Sequence, residues 1–298
     1  MRVLIVGKTG QVGGELQRAL ASAGEVISLG RDEADLEDAA KLRAAVADAS
    51  PDVIVNAAAY TAVDKAESEV ARADRINHRA VGELGKIAAQ MGAWVIHYST
   101  DYVFNGEKPG AYIETDATDP QGVYGRSKRD GETALAASGA LHLILRTSWV
   151  HAGHGQNFVR TMLRLAAERP QLRVVADQIG APTSAALIAE VTADAVTRIG
   201  RGAPIEGGTY HLTAAGETSW HGLAQLAIAE AERLGAPLMA HAGDVVAITT
   251  ADYPTPAKRP GNSRLDTRKL RAALGISLPD WQSGVRQTVA QLLERPTA

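Results

Sequence analysis

Tyr124 and Lys128 stand four residues apart in VYGRSKRDGE, a spacing that raises both side chains on one face of a helix, one turn apart. A phenol beside an ammonium is suited to carbonyl reduction. The phenol delivers the proton, while the cation lowers the phenol pKa and holds a nicotinamide ribose. Drawing a phenol from about 10 towards neutrality takes about 3 units, or about 4 kcal/mol, within reach of an ammonium and a charged nicotinamide in a dry cleft. Thr100, in HYSTDYVF, adds a hydroxyl able to hydrogen-bond the substrate carbonyl. Tyr-x-x-x-Lys also arises by chance at exposed helix starts. The pair therefore takes its meaning from the elements that carry it.

Five short apolar runs, RVLIV (2–6), EVISL (25–29), DVIVN (52–56), AWVIHYS (93–99) and LHLILRT (141–147), read as strands buried on both faces. Between them lie stretches whose apolar residues recur mostly every three or four positions and which often end at Gly, the pattern of helices. This alternation predicts an α/β fold, a Rossmann-type doubly wound parallel sheet. It places Ser99 and Thr100 at the carboxyl edge of the fourth strand, where such sheets bind ligands. After residue 150 the rhythm becomes less regular, and YPTPAKRPGNSRL (253–265) is a Pro-rich loop. Residues 1–150 are expected to form the NAD(P)-binding domain, with the chain returning to it around 183–212. Residues 151–182 and 213–298 mainly supply a smaller α/β substrate-binding domain.

VLIVGKTGQVGGEL sets Gly7, Gly10 and Gly13 between the first strand and the first helix. Gly7 permits a sharp turn, Gly10 lets backbone approach a pyrophosphate, and Gly13 lets helix pack close to strand. The helix N-terminus offers free N–H groups to phosphates. Dinucleotide binding follows, with the spacing G-x-x-G-x-x-G; no Gly-Lys-Ser/Thr follows, which excludes a P-loop. At the end of the second strand Gly30 offers no carboxylate to a ribose, whereas Arg31 can meet a 2′-phosphate. That favours NADPH over NADH, the alternative being that Arg31 is a solvated loop residue.

The 298 residues carry a net charge of −3 without a Lys/Arg block, which argues against nucleic acid or an anionic membrane as partner. The chain has no Cys, which excludes disulfides, thiolate catalysis and Cys-ligated zinc. No stretch approaches about 20 apolar residues, and the first residues contain too short an apolar run for a signal peptide, so a cytoplasmic protein is expected.

Beyond these motifs the chain resembles the extended short-chain dehydrogenase/reductase family, and within it the nucleotide-sugar 4-ketoreductases that act on dTDP-4-dehydrorhamnose. The resemblance runs almost end to end, through GKTGQVGGELQRAL, PDVIVNAAAYTAVDKAE, GAWVIHYSTDYVF, ETDATDPQGVYGRSK, RTSWVHAGHGQNFVRTMLRLA, DQIGAPTSA, YPTPAKRPGNSRL and LPDWQSGV. It implies that Gln11, Val12 and Gly13 line the pyrophosphate turn and that Asp35 and Leu36 flank the adenine. Ala57, Ala58, Ala59 and Tyr60 would follow the cofactor backbone, with Tyr60 where the family often has His. Thr100 and Asp101 would meet the sugar, Tyr124 and Lys128 would do the proton chemistry, and Trp149 would pack on the deoxysugar. Lys258 and Arg259, on a loop stiffened by Pro, suit a nucleotide diphosphate, the alternative being an exposed solvated pair.

The family implies NADPH or NADH as hydride donor, and some relatives hold Mg²⁺ at a dimer contact, for which Glu15, Glu190 and Glu294 are the candidates here. Related 4,6-dehydratases use an acidic pair after the threonine; here Asp101 is followed by Tyr102, which disfavours dehydration. Epimerase/reductases of the GDP-fucose type use a Cys, absent here. The second reading is a non-catalytic cofactor-binding subunit resembling the β subunit of methionine adenosyltransferase, which retention of Thr100, Tyr124 and Lys128 disfavours. A homodimer is compatible with the resemblance.

Overall fold

The computed structural model describes residues 1–203 and 206–294. Strands β1 (Arg2–Val6), β2 (Glu25–Leu29), β3 (Val53–Asn56), β4 (Trp94–Thr100) and β5 (Leu141–Thr147) form at the five apolar runs. Further along lie β6 (Leu172–Val175), β7 (Gly208–His211) and β8 (Val245–Ile248). The main sheet is parallel throughout, in the order β7-β5-β4-β3-β1-β2. From β1 the chain winds outward to β2, then crosses back to β3 and continues the other way. The strand order reverses between β1 and β3, and a crevice opens there at the carboxyl ends.

Alternation along the strands divides the core. Val3 and Ile5 face one side of the sheet, with Val55 and Ile96, against Leu16 of α1 (Gln11–Ala19) and Ile188 of α6 (Ala185–Gly200). Leu4 and Val6 face the other, with Ile54 and Val95, against Leu42 and Val46 of α2 (Ala39–Ala49) and Leu84 of α3 (Ala80–Met91). Each such side chain, fully withdrawn from water, contributes about 1.5–3 kcal/mol. Both faces are covered, as the continuous apolar runs require.

The stretch 69–92 reads in sequence as one helix. The structure splits it into Val70–Asp74, a π-helical turn at Arg75–Arg79, and α3. The wide turn carries Asn77, whose buried amide donates to the Tyr60 carbonyl and to Ser127 Oγ while accepting from the Tyr60 N–H. That side chain joins the segment after β3 to α4 (Val123–Ala136), the helix bearing Tyr124 and Lys128. Contact here is main chain on main chain: a Cβ on Gly131 would sit 2.0 Å from the Asn77 carbonyl oxygen, and one on Gly125 2.2 Å from that of Tyr102.

Beyond β5, α5 (Phe158–Glu168) and α7 (Trp220–Arg233) pack with the parallel pair β6 and β8 around Met162, Ala166, Leu172, Ala224, Ile228 and Val245. Asn157, Ser184 and Ser219 cap α5, α6 and α7 by accepting from Arg160, Leu187 and Gly222 N–H groups. The last helices are α8 (Arg268–Leu274) and α9 (Trp281–Glu294).

Candidate active site

The glycine turn is built as a cradle. Gly7 has φ +97°, and a Cβ there would lie 2.7 Å from the Ala58 nitrogen; one on Gly13 would lie 2.0 Å from the Gly7 carbonyl oxygen. The turn thus brings β1, α1 and the segment after β3 to backbone contact, and no side chain caps α1. Beside it opens a cleft lined by Gly7, Gly10, Arg31, Asp35, Leu36 and Ala57–Ala59, among others. These come from three separate stretches, brought together at the reversal of strand order. The open backbone cradle and the cation at its rim fit a dinucleotide.

Other residues expected at this cofactor lie at or beyond the rim. Gln11 Oε1 accepts from Asn157 Nδ2 (2.9 Å), tying the turn to the loop before α5. The Tyr60 hydroxyl donates to Glu69 (3.1 Å), and its ring packs with Ala66, Ala73 and Val123 beside Tyr124. Arg31 is already engaged, by Asp35 at 3.4 Å and by Glu37. Glu33 folds back onto the Gly30 N–H (2.7 Å) and pairs with Lys8 (2.6 Å), so a carboxylate does stand near position 30, supplied from three residues on.

Thr100 ends β4 with its hydroxyl on Asp101 (3.0 Å) and against Tyr124. Burial raises the Tyr124 pKa to about 12, opposed by Thr100 and reinforced by the Asp101 charge. Burial thus opposes the lowering expected from Lys128 together with a charged nicotinamide. The Lys128 ammonium is held by the Tyr98 carbonyl at 2.6 Å and lies 3.1 Å from His97 Nε2, and burial draws its own pKa down to about 8. Tyr124 is therefore protonated at neutral pH, the form that donates. Asp101 is buried, which raises its carboxyl to about 6 against the opposing pull of the Ser263 and Thr100 hydroxyls, and among the described residues its Oδ2 makes no hydrogen bond of good geometry.

Trp149 adopts φ +50°, unusual for a bulky residue, and stacks on Trp220 with centroids 3.7 Å apart and planes 13° apart. The Pro-rich loop is pinned through Arg259, which makes a two-pronged pair with Asp64 (3.0 and 2.8 Å). Lys258 stays exposed, near Gln121.

A family model described as RmlD substrate binding domain matches residues 1–294. The chain belongs to that family. It is 50% identical over 296 residues to the dTDP-4-dehydrorhamnose reductase of Escherichia coli (strain K12), covering 98% of each chain. It is 48% identical over 298 residues to that of Burkholderia thailandensis, covering 99% of this chain and 100% of the relative. The solved dTDP-4-dehydrorhamnose reductase from Bacillus anthracis, in complex with NADP, matches with TM-score 0.88 at 30% identity, covering 97% of this chain and 99% of that one.

In this RmlD-family chain the magnesium expectation finds no site. Among the described residues no group of three or more His, Cys, Asp or Glu is placed to hold a metal. Glu15 is buried against Arg18 with His154 at 3.5 Å, while Glu190 and Glu294 are exposed on α6 and at the end of α9. His151 is structural: it is buried on Thr288, and burial lowers its pKa to about 4.

Asn56, Asp64, His97 and Trp220 touch the candidate residues, Asn56 and His97 leading to Lys128, Asp64 pairing with Arg259 and Trp220 stacking on Trp149, and none of them stands out from the sequence. For Asn56 and His97 a signal existed, since each is a polar residue in an otherwise apolar buried strand. For Trp220 there was none, because its partner is distant in the chain. Among the described residues no helix is long and apolar enough to cross a membrane.

Proposed function

We propose that this protein is a dTDP-4-dehydrorhamnose reductase that uses NADPH to convert the C4 ketone of dTDP-4-dehydro-β-L-rhamnose to the alcohol of dTDP-β-L-rhamnose. The observation that carries the chemistry is a protonated phenol, Tyr124, against the Thr100 hydroxyl at the carboxyl edge of β4. Near-complete alignment with relatives named for this activity carries the substrate.

NADPH supplies the hydride. In this reading Gly7, Gly10, Gln11, Val12 and Gly13 hold the pyrophosphate, Asp35 and Leu36 the adenine, Arg31 the 2′-phosphate, and Ala57–Tyr60 the cofactor backbone. Thr100 orients the sugar ketone by hydrogen bonding, and Tyr124 gives its proton to the developing alkoxide at O4. Lys128 holds the nicotinamide ribose. Asp101 meets the sugar hydroxyls, Trp149 forms an apolar wall, and Lys258 and Arg259 face the diphosphate. Residues 1–150, with the return at 183–212, form the coenzyme domain, and the remainder forms the sugar-nucleotide domain.

Incubation with NADPH and the ketosugar tests this: coenzyme absorbance should fall with stoichiometric formation of the dTDP-deoxysugar. Coenzyme binding without turnover of the ketosugar would overturn it and restore the regulatory-subunit reading, which the reductase relatives and the retained Tyr124, Lys128 and Thr100 do not favour.

A further inference from the structure

A series of buried polar groups runs beneath the site from the coenzyme cleft to Lys128. The Ala58 N–H, in the cleft wall, donates to Asn56 Oδ1 at 3.2 Å. Asn56 Nδ2 faces His97 Nδ1 at 3.2 Å, and His97 Nε2 faces Lys128 Nζ at 3.1 Å. Asn56, His97 and Lys128 are 1%, 1% and 2% exposed, so these groups must satisfy one another.

Counting protons fixes the direction of the series. A backbone N–H can only donate, so Asn56 turns its oxygen to Ala58 and its NH₂ to His97. His97 Nδ1 must then accept. In a neutral ring that leaves the proton on Nε2, aimed at Lys128. An ammonium has no lone pair, so two donors would oppose each other; a neutral amine accepts from Nε2–H and still donates to the Tyr98 carbonyl.

We propose that Asn56 and His97 are positioning residues for Lys128, fixing His97 as its Nε2–H tautomer, which loosens the lysine's hold on its proton and so sets the alkaline limit of its working cation. Burial acts in the same direction, holding His97 neutral and drawing Lys128 down to about 8. Of the charged or titratable groups around Nζ, Glu132 on α4 favours the ammonium, but Arg146 of β5 holds it at 2.9 and 2.6 Å. Tyr124 on α4 is neutral, and Asp101 after β4 acts on that phenol. The π-turn contributes only the Asn77 amide, through Ser127.

The catalytic meaning of this device rests on the proposed reductase activity; the tautomer does not. Long-range proton–nitrogen NMR of protein labelled at histidine nitrogen reads it directly, with His97 assigned by its loss in His97→Gln or by contacts to the Lys128 methylenes. The Nε2–H pattern is expected between about pH 6 and 8; the Nδ1–H tautomer or an imidazolium would overturn the proposal. In Asn56→Asp an ionised carboxylate accepts from both Ala58 and His97 Nδ1–H, so Nε2 turns acceptor for an ammonium. The alkaline limb of kcat should then rise by about one pH unit. A fall in kcat with an unmoved limb would reduce Asn56 to a structural role and sink the proposal. If wild type does not turn over the ketosugar, the reductase reading fails, while the spectrum still decides the tautomer.

Discussion

Lys128 Nζ lies 2.6 Å from the main-chain carbonyl of Tyr98, two residues before Thr100 on the same strand. Cation and hydroxyl are thereby both referenced to β4, one by contact and one by attachment. Lys128→Met keeps the length of the side chain but leaves His97 Nε2 without its partner in a buried site. It is expected to lower stability by about 1–3 kcal/mol in urea unfolding and to depress turnover far more than coenzyme binding.

Tyr124→Phe removes the donated proton and little volume. Turnover should fall by about 10²–10⁴-fold, while the NADPH dissociation constant, read by coenzyme fluorescence, stays within about twofold. Because burial raises the wild-type phenol to about 12, the alkaline limb of the wild-type profile belongs to Lys128, near 8.

Asp101 gives a stability effect with a defined sign. Its carboxyl titrates near 6 in the fold against 3.8 as the reference, so the folded chain holds that proton more tightly. The contribution is fully present below about pH 4 and is lost as pH rises through about 6, a change of about 3 kcal/mol. Asp101→Asn cannot ionise. Urea unfolding at about pH 4 and pH 7 should show the variant gaining on wild type by an amount approaching that figure.

Coenzyme preference should respond to the carboxylates around Arg31. Glu37→Ala frees the guanidinium from one of its two partners and should tighten NADPH by about threefold, leaving NADH nearly unchanged. Arg31→Ala should weaken NADPH by about tenfold with little effect on NADH. Titrations of both coenzymes check this; equal changes for both would remove Arg31 from the 2′-phosphate site.

Trp149 has no slack towards Gly180, where a Cβ would fall 2.7 Å from the indole. Gly180→Ala should therefore push the indole off the Trp220 face, raise the sugar-nucleotide KM and alter tryptophan fluorescence, with the NADPH dissociation constant preserved.

The sheet was readable because each strand carries its own signal: a short β-branched run with glycine or helix on either side. The glycine turn was readable for the same local reason. What escaped lay across strands. Asn56 and His97 are register partners on β3 and β4, yet His97 sits inside AWVIHYS, where the apolar run conceals a polar contact. The π-turn escaped because Asn77 widens the helix through its bonds to Tyr60 and Ser127, not through local propensity. The direction of the Tyr124 pKa escaped because four-residue spacing says nothing about depth. Burial set that sign.

Gly125 and Gly131 leave the acid-bearing helix seated on bare peptide units of its neighbours. At those two points no side chain intervenes, so repacking elsewhere has little purchase with which to slide the phenol along β4. Attempts to retarget the protein to another ketosugar would then keep their proton source and should be directed at residues outside that seat.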